Sequence, residues 1–281
     1  MKKRWKIFWI LCAVSGVSGI IFLLISCLVF GVTFQKIDSM MPYGISIGKF
    51  EEIEPSEETG EIAFSDWNDS YEDITSLTVD LKAGELKILT SYGDGVIVEA
   101  EGINEKLEVS AYRNGNTLVI DSADKLKDIA KQSLGTLTIY LPEELILDEA
   151  KISVGAGTLY IESIDVNDFS VDVGAGTANI DFFHAKDADF DCGAGEIRMY
   201  GYVEKETDID CGLGNIRYDT PDHEENYNYK INCGVGEIIC GSNQFSGIGG
   251  EKKIENHHAS KEMDIDCGLG NVEVVFEGGH F

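Results

Sequence analysis

A phrase built around two glycines recurs through this chain, and its spacing limits the fold more than any other feature. It reads SVGAGTLYI from Ser153, DVGAGTANI from Asp172, DCGAGEIRM from Asp191, DCGLGNIRY from Asp210, NCGVGEIIC from Asn232 and DCGLGNVEV from Asp266. A degenerate copy, DLKAGELKI from Asp80, carries Lys82 where the first glycine stands elsewhere. Gly155, Gly174, Gly193 and Gly212 are 19 residues apart, and the next intervals, to Gly234 and Gly268, are 22 and 34. A fixed period with late insertions is how a coil of stacked rungs is written, with loops bulging from one edge.

Each slot of the phrase has a physical reading. Before the first glycine stand Leu81, Val154, Val173, Cys192, Cys211, Cys233 and Cys267. Cysteine shares that slot with Val and Leu, so it reads as a small buried hydrophobe. Between the glycines stand Ala83, Ala156, Ala175, Ala194, Leu213, Val235 and Leu269, also apolar. After the second glycine the alternation resumes one step out of phase. Leu159 with Ile161, Ile197 with Met199, Ile216 with Tyr218 and Val272 with Val274 then share the inward face. A phase slip at glycine marks a bulge or tight bend.

The residue opening the phrase is Asp80, Ser153, Asp172, Asp191, Asp210, Asn232 or Asp266, and strand alternation points it outward. Stacked at about 4.8 Å, such a column repels itself. Calcium is one compensation. Turn chemistry is the other: Asp, Asn and Ser all accept a hydrogen bond from a backbone N–H about two residues on. Ser153 and Asn232 keep the acceptor and discard the charge, which favours the turn.

No pattern selects a catalytic, cofactor-binding or metal-ligating residue. Within the repeats the cysteines come one per copy in the last four copies with only Cys240 extra, and no CxxC pair occurs. GxG lacks the third glycine and following helix of a dinucleotide loop. His184, His223, His257, His258 and His280 form no paired-ligand spacing, and GISIG at Gly44–Gly48 lacks a strand–turn–helix setting.

The N-terminus has a different character. Lys2, Lys3, Arg4 and Lys6 precede Ile7–Phe34, 28 residues without a charge, longer than the roughly 20 that cross a bilayer. The expected organisation is a basic cytoplasmic tail over residues 1–6, a transmembrane helix over 7–34, an acidic spacer over 35–71 and a β-solenoid domain over 72–281. The positive-inside rule places the C-terminal domain outside the cell. LISC, ending at Cys27, resembles a lipidation signal, but apolar sequence follows it. Net charge is −28, and −32 once the four N-terminal cations are set aside (18 minus 50), which argues against a nucleic-acid partner. Further strands are expected over Ser76–Leu89, around a hairpin at Asn114-Gly115, and over LGTLTIYLP up to Pro142. Asp124–Gln132 suits a short helix or a loop.

The glycine phrase at about 19 residues, behind one N-terminal span, resembles the bacterial putative-adhesin family of DxGxG β-strand repeat proteins, also called toastrack domains, over residues 76–276. NQFSGIGGEKKIEN at Asn243–Asn256 looks like that family's loop before the last rung. The resemblance implies an all-β, single-stranded β-helix or solenoid-like stack on the outside of Gram-positive cells, association with envelope-stress regulation, and no catalytic residues. Three functions follow as expectations: a membrane-anchored, non-catalytic adhesion or interaction module with an envelope or protein partner; a stress-signalling accessory; and, more remotely, a carbohydrate-active solenoid, which would need paired carboxylates in a cleft.

Overall fold

The computed structural model describes residues 64–123, 134–246 and 249–278. The apolar stretch 7–34, Cys12, Cys27, GISIG, Asp124–Gln132 and His280 lie outside the described residues. Among the described residues, seventeen strands join into one sheet. The first six are β1 (Phe64–Tyr71), β2 (Ser76–Ser91), β3 (Val96–Asn104), β4 (Ser110–Asn114), β5 (Thr117–Asp121) and β6 (Thr136–Pro142). The repeat supplies β7 (Ile146–Ile161), β8 (Ile164–Val173), β9 (Thr177–Cys192), β10 (Glu196–Cys211) and β11 (Asn215–Thr220). The chain closes with β12 (Tyr227–Cys233), β13 (Glu237–Cys240), β14 (Asn243–Ser246), β15 (Gly250–Ile254), β16 (Lys261–Cys267) and β17 (Asn271–Phe276).

Each rung is two strand halves joined across a glycine pair, and each half pairs in parallel with the same half of the next rung. Before the glycines, Val154 aligns with Val173, Val173 with Cys192, Cys192 with Cys211 and Cys211 with Cys267. After them, Leu159 aligns with Ala178, Ala178 with Ile197, Ile197 with Ile216 and Ile216 with Val272. All are buried, as expected of the inward slots. Cys240 falls into the same scheme, aligned with Val274 in the second half of its rung.

The glycines serve a purpose other than the one their residue type first suggests. Of the phrase glycines, only Gly84 has a positive φ. The others are required because backbones touch. A Cβ on Gly176 would lie 2.1 Å from the Gly157 carbonyl oxygen, on Gly195 2.2 Å from that of Gly176, and on Gly214 2.3 Å from that of Gly195. The first glycine is tight as well, with a Cβ on Gly193 falling 2.7 Å from the Gly174 oxygen. Two glycine columns therefore run up the stack, and at the first glycine and the residue after it the N–H reaches the carbonyl of the rung below: Gly193 donates to Val173 at 2.9 Å and Ala194 to Gly174 at 2.8 Å.

Spatial order departs from sequence order at the far end. β16 pairs with β10 on one side and β12 on the other, and β17 lies between β11 and β13. The rung of Asp266 thus sits between those of Asp210 and Asn232, and the Asn232 rung is the outer one. Asn243–Asn256, expected as a loop, forms β14 and β15, which run antiparallel against β13 and β12. A buried ion pair fixes the inserted strand. Lys261 Nζ meets Asp222 Oδ2 at 2.6 Å, donates to the Val203 carbonyl at 2.7 Å and lies 3.7 Å from the Tyr202 ring centroid. These contacts join β16 to β10 and to the β11–β12 connection, a registry role for which buried charge pairs are best attested.

At the other end, β5 and β6 make a rung without the glycine phrase, parallel to the two halves of β2. β4 folds back on β5 as the expected hairpin, turning at Gly115, whose φ is +64°. β3 runs antiparallel to β6, and β1 to β3. β1 lies inside the stretch read as spacer, so ordered structure begins before residue 72. An edge strand bonds on one side only and can be polar; here Trp67 and Tyr71 alone pack on the core. Antiparallel strands bracket both ends of the parallel stack, keeping its self-complementary edges from further copies.

Gly195→Ala must push two rungs apart and should cost about 3 kcal/mol, a fall of roughly 6–12 °C in a thermal melt of a domain this size. Gly93→Ala, where a Cβ would meet nothing within 4 Å, should leave the melt unchanged. Equal effects at the two positions would refute the close-approach account.

Candidate interaction surface

In-register stacking turns the outward side of the first strand halves into a grid of carboxylates. Along β7, β8, β9, β10, β16 and β12, one column reads Ser153, Asp172, Asp191, Asp210, Asp266 and Asn232. Two residues earlier the column is Lys151, Ser170, Asp189, Asp208, Asp264 and Lys230. Two residues earlier again it is Glu149, Asp168, Asp187, Glu206, Glu262 and Asn228. Twelve carboxylates share this face with two lysines, one at each end of the middle column. Lys151 pairs with Glu149 at 2.5 Å, and Lys230 pairs with Asp264.

The sequence reading found the first column and missed the other two. Their signal is the alternation DADFDCG, ETDIDCG and EMDIDCG, in which every second residue is acidic. The expected turn bond is also corrected. The N–H groups of Gly193 and Ala194 donate to the carbonyls of the rung below and that of Gly195 turns to the Cys192 sulfur, which leaves Asp191 no bend donor. Within its column, Ser153 Oγ donates to Asp172 Oδ2 at 3.3 Å.

Burial and mutual repulsion shift several of these carboxyls. Partial burial among their neighbours, then mutual repulsion, raises Asp189, Asp191 and Asp210 above the ordinary aspartate range. Asp208 is pushed up to about 6, by burial first and then by Glu206, Asp189, Asp264 and Asp210. Among the described residues, no three His, Cys, Asp or Glu side chains converge as a metal site.

Beside the grid, an open groove of about 700 Å³ runs over the bare backbone of Gly193, Gly212, Gly268 and Gly234, with Asp172, Asp191, Asp210, Asp266 and Asn232 along it. Between the paired glycines of successive rungs, Leu213, Leu269 and Val235 stand in solvent, 61%, 48% and 57% exposed. The slip at the first glycine turns this position outward, although its apolar residues look like core in the sequence.

The described cysteines are core. Cys192, Cys211, Cys267 and Cys233 stack on adjacent rungs, and they and Cys240 are free and buried. A hydrogen bond with Cys211 draws the Cys192 thiol down to about 7, and that bond, with burial, pushes Cys211 up. The remaining described histidines stay apart. His184 lies between Asp165 (3.2 Å) and Glu204 (3.3 Å), while His257 and His258 are exposed on the connection before β16.

Two outcomes follow from this face and its floor. An unfolded aspartate titrates near 3.9, and folded Asp208 near 6. Between those values the folded state binds the extra proton, so stability rises as pH falls and is lost as pH rises through the folded value. Asp222 works the other way, its carboxyl lowered because bonds from Lys261, His223 and Asn226 outweigh burial, but its window lies below about pH 4. The melting temperature should be higher near pH 5 than near pH 7.5, and Asp208→Asn should raise it at the higher pH and narrow the gap. A melt that falls on acidification to pH 5 would contradict the grid. As for the thiols, iodoacetamide should modify the five core cysteines only as fast as the protein unfolds. Cys192→Val should cost under about 1.5 kcal/mol, because Val173 fills the same slot one rung below.

Among solved structures, a putative cell adhesion protein from Clostridium sporogenes matches at 14% identity, over 75% of this chain and 99% of that one, with a TM-score of 0.39. A putative adhesin from Bacteroides fragilis matches at 14% identity over 75% and 97%, with a TM-score of 0.41. A putative lipid binding protein from Parabacteroides distasonis matches at 13% identity over 75% and 96%, with a TM-score of 0.24. No curated protein matches the chain. The family model described as Toastrack DUF4097 matches residues 74–278, and the chain belongs to that family.

Proposed function

We propose that this protein is a membrane-anchored, extracellular and non-catalytic interaction module, and that its carboxylate face binds a positively charged partner from the cell envelope. The carrying observation is the grid itself. Neighbouring carboxylates about 4.8 Å apart repel by about 1 kcal/mol per pair even in water. Repulsion of that kind lowers the stability of the isolated domain, and a cationic partner would relieve it on binding. Anchoring is supported by the four basic residues before 28 uncharged ones.

The experiment has two arms. External protease on intact cells should remove the chain beyond residue 34, and protection of that segment would reject the extracellular placement. Full-length protein in detergent should then capture its envelope partner at low ionic strength and release it as salt rises, since exposed charges separated by more than about 8–10 Å are screened near physiological salt. A variant carrying Asp189→Asn, Asp191→Asn, Asp208→Asn and Asp210→Asn should lose the partner while remaining folded. Equal capture by that variant at any salt would overturn the charged-face reading. Transcriptional changes on deletion, without loss of binding to cells or matrix, would assign the same face to stress signalling instead of adhesion.

A further inference from the structure

The rung that enters last lies between two rungs that precede it in the chain. β10–β13 come first, and β16–β17 then fills the slot between β10–β11 and β12–β13. Without β16–β17, β10–β11 and β12–β13 would each present an unpaired parallel edge.

The sequences at the slot are self-matching. Asp208–Asn215 and Asp264–Asn271 both read DIDCGLGN. They stack identical on identical, Asp208 on Asp264 through Cys211 on Cys267, and Asn215 on Asn271. Asn271 Nδ2 donates to Asn215 Oδ1 at 2.9 Å. Side-chain ladders of this kind form when the same segment from different chains stacks in register. Nothing in the match requires both strands to come from one chain.

Residues 255–260 are the covalent tie between the rung and the strands before it. Their holding bonds are few: Asn256 Nδ2 to the Tyr227 carbonyl at 2.7 Å, the Asn256 N–H to Asn228 Oδ1 at 3.0 Å, and the Ser260 N–H to the Asn226 carbonyl at 3.2 Å. If the connection swings outward, every contact of β16–β17 can be remade on another molecule, including Lys261 with Asp222, so the cost is confined to these bonds.

We propose that β16–β17 is an exchangeable rung whose partner is a second copy of this chain. Two molecules trade last rungs reciprocally and close a two-fold dimer. The inference is independent of the partner bound by the carboxylate face.

The test uses the ion pair between Lys230 on β12 and Asp264 on β16, whose side chains are 48% and 34% exposed. Full-length unlabelled and nitrogen-15-labelled chains are mixed in detergent at high concentration, coupled with a zero-length carbodiimide cross-linker, and separated by size. In the dimer, half of the Lys230–Asp264 cross-linked peptides should be isotopic hybrids, because the link then always joins two chains. The monomer should yield only same-isotope links, which also reports the cross-linking yield. Deleting His257 and His258 should raise the dimer share several-fold, since a shortened connection strains the return to its own slot. A protein that stays monomeric at all concentrations, or a dimer whose links are all same-isotope, overturns the proposal. The wild-type mixture decides the matter even if the deletion fails to fold.

Discussion

The contact on which the stack rests is glycine backbone against glycine backbone. Each second glycine of the phrase brings its Cα so near the carbonyl of the rung below that a Cβ would fall 1.9–2.3 Å from that oxygen at Gly157, Gly176, Gly195, Gly214, Gly236 and Gly270. Two rungs can share a sharp bend only if neither has a side chain there. The requirement applies once per rung, so glycine must recur with the period of the coil. The 19-residue spacing is thus a steric condition written in the sequence. The same bend consumes its own donors, since the Gly193 and Ala194 N–H groups bond down the stack and the Gly195 N–H turns to the Cys192 sulfur.

Strict register has a cost on the outside. Like stacks on like, so an apolar slot becomes a continuous core column while an acidic slot becomes a column of mutually repelling charges. Inside, Leu86, Leu159, Ala178, Ile197, Ile216, Val272 and Ile238 form such a column and are buried throughout. Outside, Asp172, Asp191, Asp210 and Asp266 do the same with charge, and burial with mutual repulsion raises the Asp191 and Asp210 carboxyls above the ordinary aspartate range. Basic residues interrupt this face only at its margins, at Lys151 and Lys230. A purely structural role could be met by Ser or Thr in those slots, as Ser153 on β7, Ser170 on β8 and Thr78 on the β2 rung below show. The concentration of acid on the middle rungs is what gives the face its functional interest.

Much of this was legible in the sequence, for reasons tied to particular residues. Val154, Val173 and Cys192 share a slot, which points the repeat cysteines to the core and sets the rung spacing at 19 residues. The exposure of Leu213, Leu269 and Val235 was not legible, because hydropathy says core while the bend geometry says outward. β1 was missed because an edge strand needs only Trp67 and Tyr71 to hold it. Spatial order was hidden for a deeper reason. The segments Asp208–Asn215 and Asp264–Asn271 are the same eight residues, so either can stack on any neighbour, and period alone cannot say which does. Long-range groups such as Lys261 and Asp222, 39 residues apart, supply the discrimination that the repeat lacks.

The cysteines show how repeat units can be coupled beyond simple stacking. In the lower rungs, a Cβ on Gly176 or Gly195 would meet backbone alone among its nearest atoms. Where cysteine replaces valine, the sulfur reaches beneath the second glycine of the next rung. A Cβ on Gly214 would lie 2.6 Å from Cys192 Sγ, on Gly270 2.7 Å from Cys211 Sγ, and on Gly236 2.9 Å from Cys267 Sγ. The thiol also donates where valine cannot, as Cys233 Sγ does to the Gly236 carbonyl at 3.3 Å. Sulfur and bare Cα thus form a second close contact between rungs, next to the glycine–carbonyl contact. It occurs in the part of the stack where the last rung is inserted out of order. Rungs whose spatial order departs from chain order gain from an added point of fit. A thiol, small and able to donate, provides it without adding a charge to the core.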